Sequence, residues 1–598
     1  MMKDIKERFK TTFSFDRIIP RLIASWLFFA FILVAKYNDF IELAFAQDMK
    51  LYVAAIICVS LFIIFSLPAF FLYKIHTDSW VLLIVSFFLI LSWLAFGVDG
   101  TEDTLKVLPM VIIFIFVAVY FYFKNKEFFL SHTPKRRTVI IVCSLFALIS
   151  FLFSATTLVF RYETYSSPNY DFGIFANIFY NLKTKGLPLA SSERDMIMSH
   201  FNVHISPIFY LILPIYLIFP YAITIQIIQP LFISLSMIPL LLILKHYNFS
   251  HWHTILIAAL FAFFPALTTS GYYDFHENCL LVLPLMFMFF FLEKKKYPLM
   301  YVASLLVLSV KEDAAIYIFI FGIYLILSKK SYVHGAILSI LSVGYFFAAI
   351  SILNSSGAGA MTYRYGNLIL NSSDGILGAI KTIFLNPGYA LSTIFTTSAS
   401  SWDKVVYFIE MFLPLAFIPF MIKKPARLVL LVPVLLNLLT NYIYQYNIFF
   451  QYNYGISAFL FYLLIINLSE IKEETRGTIL SIASGATAIL YICLALGFSI
   501  YYVRTYINYH DYYEGISEVL EIIPDDASVS APSYYVAHLA NRDEIYEVSY
   551  HGNVPDVDYV VLSSRDTLTE SRINIYEGYG YTIIADASGV VILQSPSA

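Results

Sequence analysis

Lys124-Asn125-Lys126 and Pro134-Lys135-Arg136-Arg137 bound a short segment (124–137), and the run TVIIVCSLFALISFLFSATTLVF (138–160) follows without a break. Five basic residues beside an uncharged apolar stretch of bilayer length mark a helix that leaves the cytoplasm and exits on the other side. The pattern recurs upstream and downstream. Hydrophobic residues make up 59% of the 598 residues and charged residues 13%, about half the usual share for soluble domains. That balance excludes a soluble globular enzyme, a disordered chain and a disulfide scaffold. The four cysteines (Cys58, Cys143, Cys279, Cys493) all fall inside apolar runs and read as small core residues.

Four spans are expected before this one, at 17–37, 51–73, 79–97 and 107–123, with Asp99, Glu102 and Asp103 on the outer side. Beyond it the chain enters an external loop, 161–204. The next apolar stretch, 205–220, is short and carries Pro207, Pro214 and Pro220. If it crossed, the basic loops at Lys294–Lys296, Lys329-Lys330 and Lys423-Lys424 would all turn outward, so it is expected to lie at the outer interface. Later spans follow at 222–244, 254–270, 278–292, 298–310, 314–327, 333–353, 404–422, 426–442, 454–468 and 477–503. The expected architecture is an all-α polytopic membrane bundle of about 13–15 transmembrane helices. Its N-terminus lies in the cytoplasm and its C-terminus outside the cell membrane.

From Arg504 onward the character changes. This tail holds 15 acidic residues against 4 Arg and no Lys, a net charge of −11, while the rest of the chain carries +8. Such a break marks a domain boundary. Strand-like stretches at 527–530 and 559–563, a hairpin of 581–585 with 590–594 turning at Ser588-Gly589, and helical spacing over 511–523 and 567–576 predict a small α/β domain. The expected division is 1–137, an N-terminal four-helix extension; 138–503, the membrane core; and 504–598, the external domain. No basic patch for nucleic acid is present.

Charge at membrane depth is costly, so its placement is informative. Outside the basic loops, the polar side chains of the membrane part gather at outer ends of spans. Asp171 sits beside Gly173 after the fifth span and suits a general base toward a hydroxyl acceptor; a helix cap is the alternative. His200 and His204 are four apart in a loop, suited to hydrogen bonding with metal ligation as the other option. Asp274, His276 and Glu277 lie at a span junction, as a polar site or as caps within an aromatic belt. Lys311-Glu312-Asp313 could hold a phosphate or form an internal ion pair. The aromatic segment 442–454 could stack on sugar rings or anchor at the headgroups. Four charged clusters on one face, under an acidic domain, suggest a site at the outer membrane interface.

These motifs, Asp171-Phe172-Gly173, His204-Ile205-Ser206-Pro207, Phe275-His276-Glu277 and Lys311-Glu312-Asp313, together with Ile523-Pro524-Asp525-Asp526 and His538-Leu539-Ala540-Asn541-Arg542, resemble the DUF2079 family of prokaryotic membrane proteins. The resemblance runs from about Thr138 to the end. That family in turn resembles the GT-C superfamily of polyprenyl-phosphate-sugar-dependent glycosyltransferases, which place a catalytic Asp in the first external loop of the core. Asp171 occupies that place. The usual acidic pair is reduced here to one Asp, with Glu193 and Asp195 further along.

The resemblance implies an integral-membrane glycosyltransferase with a polyprenyl-phosphate sugar donor and an acceptor of unknown identity. Asp171 would be the catalytic residue. His200, His204, Asp274, His276, Glu277, Lys311, Glu312, Asp313 and Arg364 would bind substrate, with Arg161 as a further cation for the leaving phosphate. No metal ligand set and no certain cofactor is expected, though a divalent metal could be accommodated. Two other classes remain: a transporter or flippase of a lipid-linked solute, and a non-catalytic envelope protein.

Overall fold

The computed structural model describes residues 2–37, 49–96, 104–194, 196–355, 362–396, 402–549 and 556–598. Asp99, Glu102, Asp103 and Asp195 fall outside the described residues. Apolar runs become helices because a backbone in hydrocarbon can satisfy its N–H and C=O groups only internally. Each of the fifteen expected spans contains helix. Seven helices among the described residues are long and apolar enough to cross a membrane alone: Phe15–Lys36, Leu51–Phe71, Thr104–Ser131, Arg136–Glu163, Ala222–His246, Tyr332–Ser355 and Glu473–Asn508. His251–Ala262 with Pro265–Tyr273, bent by 49°, makes an eighth if counted as one span. The other expected spans carry shorter or broken helices, and the architecture is the expected all-α membrane bundle with a small α/β tail. Tyr297–Leu308 and Ala315–Leu327 are 12 and 13 residues long, short of the roughly 20 a bilayer demands.

The helix Tyr454–Leu468 is buried along its whole length and forms the axis of the bundle. Its aromatic side chains pack edge-to-face or stacked on the surrounding helices: Phe461 on Phe261 (4.9 Å between ring centres) and Tyr462 on Phe289 (4.2 Å). The N-terminal helices attach through Thr104–Ser131 lying along Glu473–Tyr491. Gly485 permits that approach, since a Cβ there would stand 3.2 Å from both Ala118 Cβ and Ile115 Cα. Within this extension, buried Arg21 joins three helices by donating to Asp78 Oδ1 (2.7 Å) and Ser66 Oγ (2.8 Å). The stretch 205–220 forms a helix only at Phe209–Ile218, ten residues with Pro214 inside, too short to cross.

The tail folds as an α/β unit. Its five-stranded sheet has the order β4-β3-β5-β7-β6, where β3 is Val529–Ala531, β4 Ile545–Glu547, β5 Tyr559–Ser563, β6 Thr582–Ala587 and β7 Val590–Gln594. (β1, Leu189–Ala190, and β2, Met198–Ser199, form a separate small hairpin in the 161–204 loop.) β4, β3 and β5 run parallel, and β5, β7 and β6 antiparallel. The hairpin β6–β7 turns at Ser588 and Gly589, both at positive φ (52° and 73°), the conformation that favours glycine in tight hairpins. The helices His510–Leu520 and Thr569–Gly578 match the expected periodicity. β4 and the helix Ser533–Leu539 were not anticipated.

Candidate functional site

After the helix Arg136–Glu163 the chain makes one π-helical turn, Asn169–Gly173, and enters the helix Ile174–Lys185. Phe172 is fully buried with its ring edge-on to Tyr162, which turns Asp171 to the opposite side, into a cavity of about 390 Å³. The Asp171 carboxylate makes no capping hydrogen bond to this turn or to the following helix, so the helix-cap alternative is set aside. Burial, and the negative charge of Glu277, push its pKa up to about 8; Lys311 and Arg364 pull the other way. Such a carboxyl can take a proton near neutral pH.

Opposite Asp171 lies the segment 274–278. Asp274 has φ 86° and ψ 176°, a conformation that side chains rarely adopt. It is held there by its own carboxylate, which accepts from Arg161 Nε (3.1 Å to each oxygen), Ser167 Oγ (2.7 Å) and Gln226 Nε2 (2.7 Å). Gln226 Oε1 accepts from Phe275 N, and Gln229 Oε1 from His276 N. This frame directs His276 to the cavity wall, while Asp274 itself is buried outside the cavity lining. Asp274 is therefore a structural anchor here and not a ligand-facing group. Arg161 is engaged by Asp274 and Tyr502 Oη, which removes it as a phosphate-binding cation.

Lys311, three residues beyond the helix Tyr297–Leu308, is extended, leads into the 3-10 turn Glu312–Ala314 and lines the cavity. Its Nζ lies 3.0 Å from Glu277 Oε1, whose side chain is 0% exposed. The internal ion pair that the sequence offered as one reading of Lys311 is thus made with Glu277 on another element, not within the triplet Lys311-Glu312-Asp313. Glu312 instead accepts from the backbone N–H of Ile205 (3.0 Å) and pairs with His204 Nδ1 (2.8 Å). His200 Nδ1 pairs with both oxygens of Glu193 (3.1 and 3.0 Å). Burial alone would lower the His200 pKa, but the Glu193 carboxylate raises it on balance. His276 Nδ1 stands 3.2 Å from Glu277 Oε2. Each of the three histidines thus has a carboxylate behind one ring nitrogen and a place in the cavity wall.

The roof is aromatic. Arg364 stacks over Tyr442 (4.7 Å) and Tyr452 (5.3 Å), and Tyr273, Tyr444 and Phe450 complete this side. A second cavity of about 320 Å³ adjoins the first and shares His204, Lys311, Arg364 and Tyr452 with it. Glu312 and Asp313 line this second cavity, whose remaining wall is largely apolar and opens along exposed Phe347 (66%) and Ile376 (40%).

Of the sequence-expected residues, Asp171, His200, His204, His276, Lys311 and Arg364 meet in one chamber. Glu312 and Asp313 lie in the adjoining one, and Glu277 and Asp274 support from behind. Gln226 and Gln229 were missed, being read as part of an apolar span. Their three-residue spacing, which places both amides on one face of a membrane helix, was the available signal. Among the described residues, one group of three ligand atoms stands at metal-binding separation, His510, Asp511 and Glu514, exposed on the tail domain.

Comparison with curated proteins yields no match. Among solved structures, the chain is similar to ArnT from Cupriavidus metallidurans bound to undecaprenyl phosphate. Identity is 11%, the alignment covers 75% of this chain and 97% of that one, and the TM-score is 0.45. The same protein in the apo state gives 11% identity, 74% and 97% coverage and a TM-score of 0.42. The model of the DUF2079 family, described as a predicted membrane protein, matches residues 161–592. The chain is a multi-pass membrane protein and belongs to the DUF2079 family.

Proposed function

We propose that this protein is an integral-membrane glycosyltransferase of GT-C type, which moves a sugar from a polyprenyl-phosphate donor to an acceptor hydroxyl. The observation that carries this reading is the junction of the two cavities. A polar, aromatic-roofed chamber holding Asp171 meets an apolar groove at Lys311, Arg364 and His204. A sugar, a phosphate and a prenyl chain need those three environments in that order. By the positive-inside rule the chamber and the 504–598 domain face outward, with the N-terminus in the cytoplasm and 1–137 as an added four-helix bundle.

In the reaction, Asp171 accepts the proton of the acceptor hydroxyl as its oxygen bonds to the anomeric carbon. The bond from that carbon to the phosphate oxygen breaks, and its electron pair leaves with the polyprenyl phosphate. Lys311 and Arg364 meet the charge that develops on the departing phosphate, and preorganised positive groups are effective there. The stacked tyrosines hold the sugar by its faces.

The test uses purified protein in lipid nanodiscs with a panel of polyprenyl-phosphate sugars, comparing wild type with Asp171→Asn for binding and for sugar release or transfer. Turnover by the wild type that is lost in the variant, with binding kept, supports the assignment. A folded wild type that binds none of the panel sinks it and brings transport or scaffolding forward.

A further inference from the structure

We infer that the C-terminal domain is a positioning element for Asp171, with Glu547 and Ser533 as its positioning residues; this rests on the reading of Asp171 as the base. A single π turn is a weakly self-supporting piece of backbone, and such turns recur at functional sites. The turn Asn169–Gly173 follows Pro168, which has no N–H to give and no side chain that could cap it. Its support comes from the far end of the chain. The backbone N–H of Asn169 donates to Ser533 Oγ (3.0 Å), and Asn169 Nδ2 donates to Glu547 Oε2 (3.0 Å) and to Ser192 O (3.0 Å). At the other end of the turn, a Cβ on Gly173 would lie 3.1 Å from Val536 Cγ1 and 2.7 Å from Asn169 Oδ1. The domain therefore touches the backbone on both sides of Asp171.

The next residues are held in the same way. Asn177 Nδ2 donates to Ala540 O (3.1 Å) and Arg542 O (2.9 Å). Ser191 Oγ donates to Ile545 O and accepts from Ile545 N, both at 2.8 Å, which closes the free edge of β4. His538 is stacked between Tyr162 and Tyr165, with ring centres 3.9 Å from each.

Glu547 is the group whose chemistry singles it out. It ends β4, is 1% exposed, and forms no ion pair with a cation among the described residues: its oxygens accept from Asn169 Nδ2 (3.0 Å) and Ser549 Oγ (2.6 Å). A buried carboxyl oxygen without a partner is expensive, and the hydrogen bond that Glu547 Oε2 accepts from Asn169 Nδ2 is directional. Spent on the residue two before Asp171, it fixes the pitch of the turn and so the distance from the base to the acceptor oxygen.

The experiment uses the full chain in nanodiscs with Glu547→Ala, Glu547→Gln and Ser533→Ala. Gln keeps the shape and an oxygen for Asn169. Hydrogen exchange over 169–177 reads the turn without any donor, and kcat and KM for polyprenyl-phosphate sugars read the chemistry. In Glu547→Ala, exchange over 169–177 rises at least tenfold and kcat falls at least tenfold with KM within twofold; Glu547→Gln behaves as wild type in both. If Glu547→Ala fails to fold, Ser533→Ala must show the same split at reduced size. Unchanged exchange and kcat in the Ala variants overturn the inference, as does Gln being as damaging as Ala. Should the wild type turn over no lipid sugar, the transferase reading falls separately, and the exchange arm alone upholds or overturns the hold on the turn.

Discussion

Replacing Asp171 by Asn should abolish transfer and at the same time stabilise the fold. Burial and the Glu277 charge raise this carboxyl from 3.8 to about 8, and each factor of ten in an ionisation constant is worth about 1.4 kcal/mol. The unfolded chain ionises at the ordinary value while the native chain keeps its proton up to about pH 8. Between those limits the native state binds more protons, so stability falls as pH rises. At pH 7 the difference amounts to roughly 4 kcal/mol unscreened, and water in the cavity reduces it to about 1–3 kcal/mol. Asn has no charge in either state and escapes this penalty. The gain of the variant over wild type should therefore be small at pH 5 and largest above pH 8, while turnover drops by about 10²–10⁴. Thermal unfolding in nanodiscs, followed by tryptophan fluorescence at pH 5, 7 and 9, measures the first, and sugar release the second. A variant less stable than wild type by about 1 kcal/mol at every pH would behave as one that had lost a helix cap and would refute the argument.

Lys311→Met leaves Glu277 buried without its cation and should cost about 3–5 kcal/mol; Glu277→Gln added to it should recover most of that in the same unfolding assay. Gln226→Leu removes bonds to the Asp274 carboxylate and to Phe275 N, worth about 2 kcal/mol together, and should weaken lipid-sugar binding by releasing His276; unchanged stability and affinity would contradict the frame described for 274–276. Phe347→Glu places a charge in the apolar groove and should weaken binding of long-chain polyprenyl phosphate at least tenfold while leaving binding of a short-chain analogue unaltered. In wild type, log(kcat/KM) should rise with pH up to about 8 and then level, because the base must be unprotonated to act; a profile flat from pH 6 to 9 would speak against Asp171.

The helical segments were legible because hydropathy and length are properties of one segment at a time. The tail was legible through its charge and through local turn chemistry at Ser588-Gly589. Crossing number was less so: Tyr297–Leu308 and Ala315–Leu327 are apolar enough to be read as spans, yet their helices end early at the turn carrying Lys311. Short strands such as β4 carry too few residues for a period-2 pattern to register.

What the sequence by itself determined is the solvent each segment prefers and which polar side chains must be accounted for: Asp171, His200, His204, His276, Lys311 and Arg364 stand out because charge inside an apolar chain is costly. What only the tertiary structure decided is who meets whom. Lys311 pairs with Glu277 and not with its own neighbours, Arg161 is given to Asp274, and the turn bearing Asp171 is held by Ser533 and Glu547. The physical reason is one of range. Burial preference is set by a residue and its immediate neighbours, whereas an ion pair or a hydrogen bond needs two atoms within about 3 Å, and only the packing of distant segments brings them there.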